Sequence, residues 1–367
     1  MNQTQAQLSR LENGPGLRNL DRLVGWALLL GMPAEMLWFA LPSSGSPQQP
    51  PGSHGVTLPF VHALRAADRQ VGGAHLYATV ATRLAQYSSA PPSTGPNLRT
   101  LPAWAPIASL AEMAGWMALE SGAKAMASRH LLRASAAAAA SGDTQLAAQI
   151  HASLSHCARQ DGDAHAAVSH ADTGFAHLRK GPSHGPLEAR LHAMRACGLA
   201  ASGRPVEAVA AITAADTAYQ RECSSSSQWL SPFDDASLAS EAAWCFLRVG
   251  DFTEAARQLH QALAGRQGGQ VRSRAFAQVA LATALLGQGQ AEEACPLIRE
   301  VLASTVNLGS AVLVARLTHV ALLLRSHSKR CGEASEVIEQ LRQALLERAW
   351  IGTSGALHEP PAGHPPL

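Results

Sequence analysis

The chain has 367 residues, which is long enough for two or three domains or for one array of repeats. Apolar residues make up 47% of the sequence but aromatic residues only 5%, because alanine, the best helix former, supplies much of the apolar content. The formal net charge of +2 argues against a broadly basic surface, so any contact with nucleic acid must be local. We find no run of alternating β-branched residues bounded by hairpin turns, and the composition predicts an all-α protein.

The first element predicted along the chain is a short helix in the segment TQAQLSRLENG, residues 4–14. Thr4 is an N-cap residue type, and Asn13 with Gly14 suits a left-handed helix end. Two further short helices are predicted in LRNLDRLVGWALLLGM and PAEMLWFAL. Glycine, proline and glutamate interrupt the apolar residues 24–41, whereas a membrane-spanning helix needs about 20 apolar residues, so we expect no membrane role.

This N-terminal region resembles the second half of an Xre/Cro-type helix-turn-helix domain, of the phage-repressor kind. The resemblance rests on TQAQLSRLENG and on the following pattern LDRLVGWALLLGMPAEMLW. In that family the helix ending in ENG enters the major groove of DNA. Because glutamine can bond bidentately to adenine and arginine to guanine, the residue types at Gln5 and Arg10 suit base recognition. The resemblance thus implies DNA contacts by Thr4, Gln5, Ala6, Gln7, Arg10 and Asn13.

The first two helices of such a domain are missing from this sequence. They would occupy about 20–25 preceding residues and would fix the position of the next helix on the DNA backbone. Glu12 matches a family glutamate that pairs with an arginine on the missing first helix. Two explanations remain open: the true start of the protein lies upstream, or the gene is truncated and leaves a sensor without a DNA reader.

Four stretches rich in proline, glycine or serine punctuate the rest of the chain. They are SSGSPQQPPGSHG at 43–55, APPSTGPNLRTLP at 90–102, CSSSSQWLSPFDD at 223–235 and the terminal EPPAGHPPL. Between the first two, two helices are predicted around Gly72 and Gly73. These features divide the chain into a partial helix-turn-helix domain at 1–42, a linker at 43–58, a helical connector at 59–102, a repeat region at 103–350 and a disordered tail at 351–367.

From about residue 103 onward the sequence repeats itself. Five repeat glycines, separated by 40, 41, 47 and 39 residues, mark the copies: Gly122, Gly162, Gly203, Gly250 and Gly289. The residue five positions after each glycine is always alanine, and the residue seven positions before it is always small. Glycine suits the turn between two helices, and small residues suit places where helix backbones approach closely. The pattern therefore predicts stacked helix pairs, which bury their apolar faces against neighbouring pairs.

These copies resemble tetratricopeptide repeats, most closely in GRPVEAVAAITAADTAY at 203–219 and GDFTEAARQLHQALA at 250–264. They are longer than the usual repeat of about 34 residues, and they lack the tryptophan and proline of the strict consensus. The resemblance implies a tetratricopeptide-like α-solenoid. A sixth pair, at 310–326 and 332–348, departs from the register and is expected to cap the array. An irregular helical bundle is the alternative fold.

The arrangement of the whole chain resembles transcriptional regulators of high-GC Gram-positive (actinobacterial) type, with a helix-turn-helix, a Pro/Ser-rich linker and alanine-rich repeats. In related peptide-sensing regulators the solenoid dimerises and binds a signalling peptide on its concave face. The resemblance implies a cytoplasmic, homodimeric transcriptional regulator that binds DNA and a peptide or small-molecule ligand. The alternative is a protein-interaction scaffold that does not bind DNA because its reader domain is truncated.

In the predicted solenoid, one side of the first helix of each pair lines the concave surface. Positions 3, 6, 10 and 13 residues before each repeat glycine are expected to face inward. Arginine, histidine and tryptophan at these positions suit a peptide carboxylate and its apolar side chains. The candidate ligand-binding residues are Trp116, Gln149, His156, Arg159, Arg190 and Trp244. The alternative is that the tryptophans pack between repeats and the arginines are solvated.

The spacing of cysteine and histidine predicts neither a disulfide framework nor a metal site. The six cysteines are scattered without a CxxC motif and are expected to be small buried hydrophobes in a reducing compartment. His151 and His156, like His165 and His170, are five residues apart and so do not share a helix face. The sequence has no GxSxG, no P-loop and no GxGxxG after a strand, so we expect neither an enzyme nor a cofactor.

Overall fold

The computed structural model describes residues 56–88, 104–266, 270–349 and 351. The chain divides into two units, Met1–Gly55 and Val56–Leu367, and all described residues belong to the second unit. The predicted helix-turn-helix segment lies outside the described residues, as does the tail from residue 352. The same holds for the predicted DNA-binding residues Thr4, Gln5, Ala6, Gln7, Arg10 and Asn13.

Fourteen α-helices and no strand occur in the described residues, which confirms the all-α prediction. In chain order they are α1 Leu58–Val71, α2 Tyr77–Ser88, α3 Trp104–Glu120, α4 Lys124–Ser141, α5 Thr144–Gln160, α6 Ala164–Leu178, α7 Gly185–Ala201, α8 Pro205–Tyr219, α9 Asp235–Val249, α10 Phe252–Ala264, α11 Val271–Gly287, α12 Ala291–Ser304, α13 Ala311–Arg325 and α14 Ala334–Glu347. None of these helices in the described part of the chain is long and apolar enough to cross a membrane.

From α3 onward the helices form six sequential pairs, α3/α4 to α13/α14, and each pair packs on the next. In the first five pairs a turn of two or three residues joins the two helices, so they run antiparallel. Antiparallel pairs that stack on their sequence neighbours define a tetratricopeptide-like α-solenoid. The structure thereby confirms the fold class that the repeat pattern predicts.

The turns within the first five pairs follow from local sequence. All five repeat glycines have a left-handed backbone, with φ between +71° and +86°, which is unfavourable for residues with a Cβ atom. Aspartate follows two of these glycines directly and caps the next helix. Asp163 Oδ1 accepts a hydrogen bond from the Ala166 N–H (2.8 Å), and Asp251 Oδ1 accepts one from the Glu254 N–H (3.0 Å). Glycine therefore ends the first helix in all five pairs, and in two of them aspartate caps the start of the second.

The small residues of the repeat lie where the helices approach most closely. A Cβ atom on Gly115 in α3 would lie 2.7 Å from Leu131 Cγ in α4, which is too close for a real contact. The five alanines that follow the repeat glycines have no exposed surface: Ala127, Ala167, Ala208, Ala255 and Ala294. Their burial confirms the prediction that small side chains permit close helix packing.

The region predicted as a helical connector contributes α1 and α2, and α1 closes the solenoid. α1 packs against both α3 and α11, and α13 packs against α3, so the two ends of the array touch. The Gly309 N–H donates to Val71 O (2.9 Å), and Gly309 O accepts from the Ala74 N–H (3.2 Å). Asp68 of α1 forms an ion pair with Arg272 of α11, with 2.6 Å between Oδ2 and Nη1. The contacts of α1 and α13 with α3 consequently close the array into a ring of helices.

The serine-rich stretch between α8 and α9 lies along this inner face. The side chain of Gln145 in α5 donates to Ser225 O (2.9 Å) and accepts from the Ser227 N–H (2.7 Å). Trp229 is only 9% exposed and belongs to the apolar core that α1 to α5 form. The stretch interrupts the helical pattern as predicted, and it is held by specific bonds to the second helix pair.

The cysteines of the chain are all free, and five of the six are buried. This agrees with the prediction of small buried hydrophobes for those five. Cys223 is exposed, because it begins the serine-rich stretch and does not lie on a packed helix face.

Candidate functional site

A cavity of about 330 Å³ lies inside the closed solenoid. Side chains of α1 and of the first helix in each of the six pairs form its walls, together with the end of the serine-rich stretch. Methionine and aromatic side chains alternate there with charged ones. The volume falls at the lower end of the range of small-molecule sites, which is about 300–1,000 Å³.

Four of the six candidate ligand-binding residues line this cavity: Trp116, His156, Arg190 and Trp244. The other two contact groups of the protein itself. Gln149 donates to Glu112 Oε2 (2.7 Å) and accepts from the Ser231 N–H (2.7 Å), so it ties the serine-rich stretch to α3. Arg159 donates from Nη2 to His156 Nδ1 (3.2 Å). The structure brings these residues to one side of the array, and their role in ligand binding stays a prediction.

A buried carboxylate, Glu112, organises the wall between α3, α5 and α7. It accepts hydrogen bonds from Gln149 Nε2 (2.7 Å) and from Ser153 Oγ (2.6 Å). Ser153 Oγ in turn accepts from Trp116 Nε1 (3.1 Å) and from Arg190 Nη2 (3.2 Å). Because Trp116 and Arg190 share a hydroxyl that the carboxylate holds, both side chains have fixed positions at the cavity edge.

His156 presents a neutral ring to the cavity. Its ring lies against that of Trp116, with 4.7 Å between centroids. Burial lowers the pKa of His156 well below its ordinary value, and the positive charges of Arg159 and Arg316 lower it further. The imidazole is therefore uncharged at physiological pH, and its two nitrogens lie within hydrogen-bond distance of Arg159 Nη2 (3.2 Å) and Gln160 Nε2 (3.3 Å).

Arg65 of α1 fastens the serine-rich stretch to the cavity wall. Its guanidinium donates to Trp229 O (2.8 Å), Leu230 O (3.1 Å) and Ser109 Oγ (3.2 Å). Burial lowers the pKa of Arg65, and the negative charge of Glu112 partly opposes this shift. Arg65 thus joins three parts of the molecule that are distant in sequence.

Arg316 of α13 points between two aromatic rings. Its guanidinium carbon lies 3.9 Å from the ring centroid of Trp244 and 4.6 Å from that of Phe276. Burial lowers the pKa of Arg316 to about 10, and the charge of Arg159 acts in the same direction. Its Nη1 atom is buried and has no hydrogen-bond partner among the described residues. The ring contacts stabilise the cation by roughly 2 kcal/mol when desolvated, but they satisfy none of its N–H donors.

Two carboxylates on the cavity wall also have an unsatisfied oxygen. Glu120 is 3% exposed, and burial raises its pKa. The Oε2 atoms of Glu120 and Glu241 are buried without a hydrogen-bond partner among the described residues. Each such atom destabilises a protein by about 1–3 kcal/mol. Residues of both charge signs on the cavity wall therefore carry polar atoms that the described part of the protein does not bond.

The sequence held a signal for Arg316 that the glycine register did not reveal. In α13, AVLVARLTHVALLLR, Arg316 is the one arginine among apolar residues before the end of the helix. A charged side chain in such a setting must face a partner or a cavity, because burying an unpaired charge is unfavourable. The sixth pair departs from the register, although Gly332 precedes its second helix, so the register assigned no inward positions to it.

The fold and the cavity define a tetratricopeptide-like helical repeat protein with a cavity on its inner face. No protein-family model matches the chain. No curated protein matches it either.

Solved structures with helical repeats do match. One is a variant of a protein described as a kinesin light chain of Podosopora anserina with nearly identical TPR-like repeats, at 22% identity over 55% of this chain and 95% of that chain, with a TM-score of 0.39. A second structure of that protein gives 22% identity over 53% and 92%, with a TM-score of 0.38. The Cut9–Hcn1 hetero-tetramer of the APC/C gives 14% identity over 81% of this chain and 52% of that chain, with a TM-score of 0.47.

Proposed function

We propose that the chain is a scaffold for binding, and that it holds a small ligand or the end of a peptide in its central cavity. The observation that carries this proposal is that Arg316, Glu120 and Glu241, which line one cavity beside aromatic rings, each have a buried polar atom without a hydrogen-bond partner in the described residues. Protein interiors rarely leave such atoms unbonded. A ligand that completes their hydrogen bonds regains the lost energy, and the aromatic faces add apolar contact.

The dimensions of the cavity favour a small occupant. Its volume of about 330 Å³ suits a molecule of drug-fragment size and not a long peptide. The serine-rich stretch also lies along the inner face, where an extended peptide would lie in an open solenoid. It is fixed there by Gln145 and Gln149 of α5. Binding of a whole partner protein would therefore use other faces or would require this stretch to leave.

A thermal unfolding experiment with a panel of amino acids, dipeptides and small organic acids tests the proposal. A compound that binds the folded chain raises the melting temperature, since its stabilisation reaches about 2.7 kcal/mol at a hundred times Kd. The variant Ser240→Phe places a ring in the cavity, because Ser240 lines it. We expect compounds that stabilise the wild type to lose their effect on this variant.

Thr213→Phe is the matched control. Thr213 is exposed on α8, and its hydroxyl donates to the carbonyl four residues earlier, as that of Ser240 does. Compounds that stabilise the wild type should stabilise this variant equally. A panel in which no compound distinguishes Ser240→Phe from Thr213→Phe would contradict binding in the cavity.

We propose DNA binding as a second function, on the resemblance of TQAQLSRLENG alone. Fluorescence anisotropy of the full chain with a library of duplex oligonucleotides tests it. A regulator should select one site, and its affinity should fall with salt along a negative log–log slope. No anisotropy change at low salt would favour the scaffold without DNA binding. The homodimer stays a prediction of the same resemblance.

A further inference from the structure

Two opposite charges face the cavity without touching each other. Arg316 and Glu241 both line it, and the charge of Glu241 raises the pKa of Arg316, so the two groups interact through space. In the described residues neither forms an ion pair within 4.0 Å, whereas Arg272 and Asp68 on the same wall do. The guanidinium nitrogens of Arg316 and the carboxylate oxygens of Glu241 are therefore more than 4.0 Å apart, and this separation is the gap between the two charges.

Both charges are held in place by the helices that carry them. Glu241 and Trp244 are one turn apart on α9, so they lie on the same helix face. Trp244 and Phe276 clamp the guanidinium of Arg316 from α9 and α11. The gap between the charges is thus bounded by rigid elements, which favours recognition of a ligand by its geometry.

The cavity wall also carries apolar side chains among its charged ones. Met113, Trp116 and Met194 line the cavity from α3 and α7. Such side chains suit an aliphatic or aromatic group of a ligand, since the thioether of methionine adapts to irregular shapes. The site therefore combines a cation, an anion and an apolar surface within about 330 Å³.

We propose that the cavity binds a small zwitterion of the amino-acid class. Its carboxylate accepts bidentate hydrogen bonds from Arg316, its ammonium group donates to Glu241, and its apolar side chain contacts Trp116 and Met194. Arginine matches the planar carboxylate group in this way. A phosphate dianion bound to Arg316 would be repelled by the carboxylate of Glu241, whose charge acts on the same guanidinium. This inference rests on the proposed binding function.

Three related probes separate the two charged contacts: L-leucine, L-leucinamide without the carboxylate, and N-acetyl-L-leucine without the ammonium group. Calorimetric titration of the full chain should show that leucine binds tightest. Loss of either charged group should weaken binding about 10-fold to 100-fold, since hydrogen bonds to charged groups contribute about 1.5–3 kcal/mol. Alanyl-leucine, titrated alongside, shows whether a dipeptide binds more tightly than the free amino acid. Titration with inorganic phosphate tests whether the cavity binds a phosphate anion instead of a zwitterion.

Two variants assign each contact to a residue. Arg316→Met should abolish the preference for leucine over leucinamide and should keep the preference over N-acetylleucine. Glu241→Gln should abolish the preference for leucine over N-acetylleucine and should keep the preference over leucinamide. Arg325→Met, an exposed position on the same helix α13, should change neither preference. Because a structural role would weaken all three probes alike, this crossed pattern reports direct contact.

Circular dichroism establishes whether each variant folds, and Arg316→Lys replaces Arg316→Met if the latter does not. Lysine keeps the positive charge but lacks the paired N–H donors of the guanidinium. We therefore expect its preference for leucine over leucinamide to lie between those of the wild type and of Arg316→Met. Equal binding of the three leucine compounds, absence of binding by leucine and alanyl-leucine, or phosphate binding as tight as that of leucine would each overturn the zwitterion proposal. The cavity-binding function would then still stand if any panel compound loses its effect on Ser240→Phe, and it would fail if none does.

Discussion

Three histidines lie together between α5 and α6. The ring of His151 is 5.2 Å from that of His177 and 5.8 Å from that of His170, measured between centroids. Burial lowers the pKa of His151 from 6.5 to about 4, and the positive charges of His177 and His170 oppose its protonation further. Its pKa is thus lower in the folded than in the unfolded chain. The folded state is therefore favoured most above about pH 6.5, and this advantage is lost as the pH falls towards 4.

The variant His151→Gln should flatten the dependence of stability on pH. Glutamine does not titrate and can bond to Ser135, whose Oγ lies 3.3 Å from His151 Nε2. We expect the free energy of unfolding of the variant to decrease less than that of the wild type between about pH 6.5 and about pH 4.5. Urea unfolding at several pH values measures both slopes. His165→Gln, at an exposed position of α6, is the control.

Equal slopes for the wild type and His151→Gln would show that other groups cause the acid sensitivity. His170 and His177, whose pKa values burial also lowers, are then the next candidates.

The element that closes the solenoid is the junction of α1 with the loop before α13. Gly72 has φ +82°, and a Cβ atom there would lie 2.4 Å from the carbonyl oxygen of Gly309. Gly309 also bonds to the backbone on both sides of Gly72. The sequence predicted a helix break at Gly72, because glycine there ends a helical pattern. It did not predict the contact with Gly309, because no local feature joins residues that are 237 positions apart.

Gly72→Ala should open this junction. The variant combines the strain of φ +82° and ψ 152°, a backbone that essentially only glycine adopts, with a backbone clash. We expect a loss of about 2–3 kcal/mol of stability, made up of the strain and at least one hydrogen bond. Hydrogen exchange should show faster exchange in α1 and in the loop at Gly309. Gly142→Ala is the matched control, since Gly142 has φ +73° with open space around it.

Gly142→Ala should lose only about 1–2 kcal/mol of stability, which is the effect of backbone strain alone. Its α1 should remain protected from hydrogen exchange. If Gly72→Ala and Gly142→Ala behave alike, the junction contributes little to closure.

At the scale of the whole molecule, closure changes how the repeats support one another. In an open solenoid each repeat contacts only its neighbours, so damage at one end stays local. Here α13 of the last pair packs against α3 of the first pair, and α1 bridges α3 to α11. The two ends therefore stabilise each other directly.

Leu317→Ala tests this coupling. Leu317 of α13 is fully buried, so its truncation should destabilise the chain by about 2–5 kcal/mol. In a closed array, hydrogen exchange should accelerate in α3 as well as in α11 to α14. Leu346→Ala, at an exposed position of α14, should leave both regions unchanged. Faster exchange in α11 to α14 without any change in α3 would show that the two ends of the array do not stabilise each other.

The candidate site was only partly predictable from the sequence, because part of its wall forms only when the array closes. Trp116, His156, Arg190 and Trp244 follow from the glycine register, because helix periodicity fixes which side of a helix faces inward. Arg65 and Arg316 come from helices outside that register, and they reach the cavity only because the array closes. Gln149 bonds to Ser231 of the serine-rich stretch, a contact that the register did not predict, and its role in ligand binding stays a prediction.

The sequence by itself determined the helix pairs, their turns and their close packing. Helix period, glycine turns and aspartate caps depend on residues within about four positions of each other, so they can be read along the chain. Only the tertiary structure decided that the array closes, that the serine-rich stretch lies inside it, and that Arg316 meets Trp244. These contacts depend on small rotations that accumulate over six pairs, and no single segment of the sequence encodes their sum.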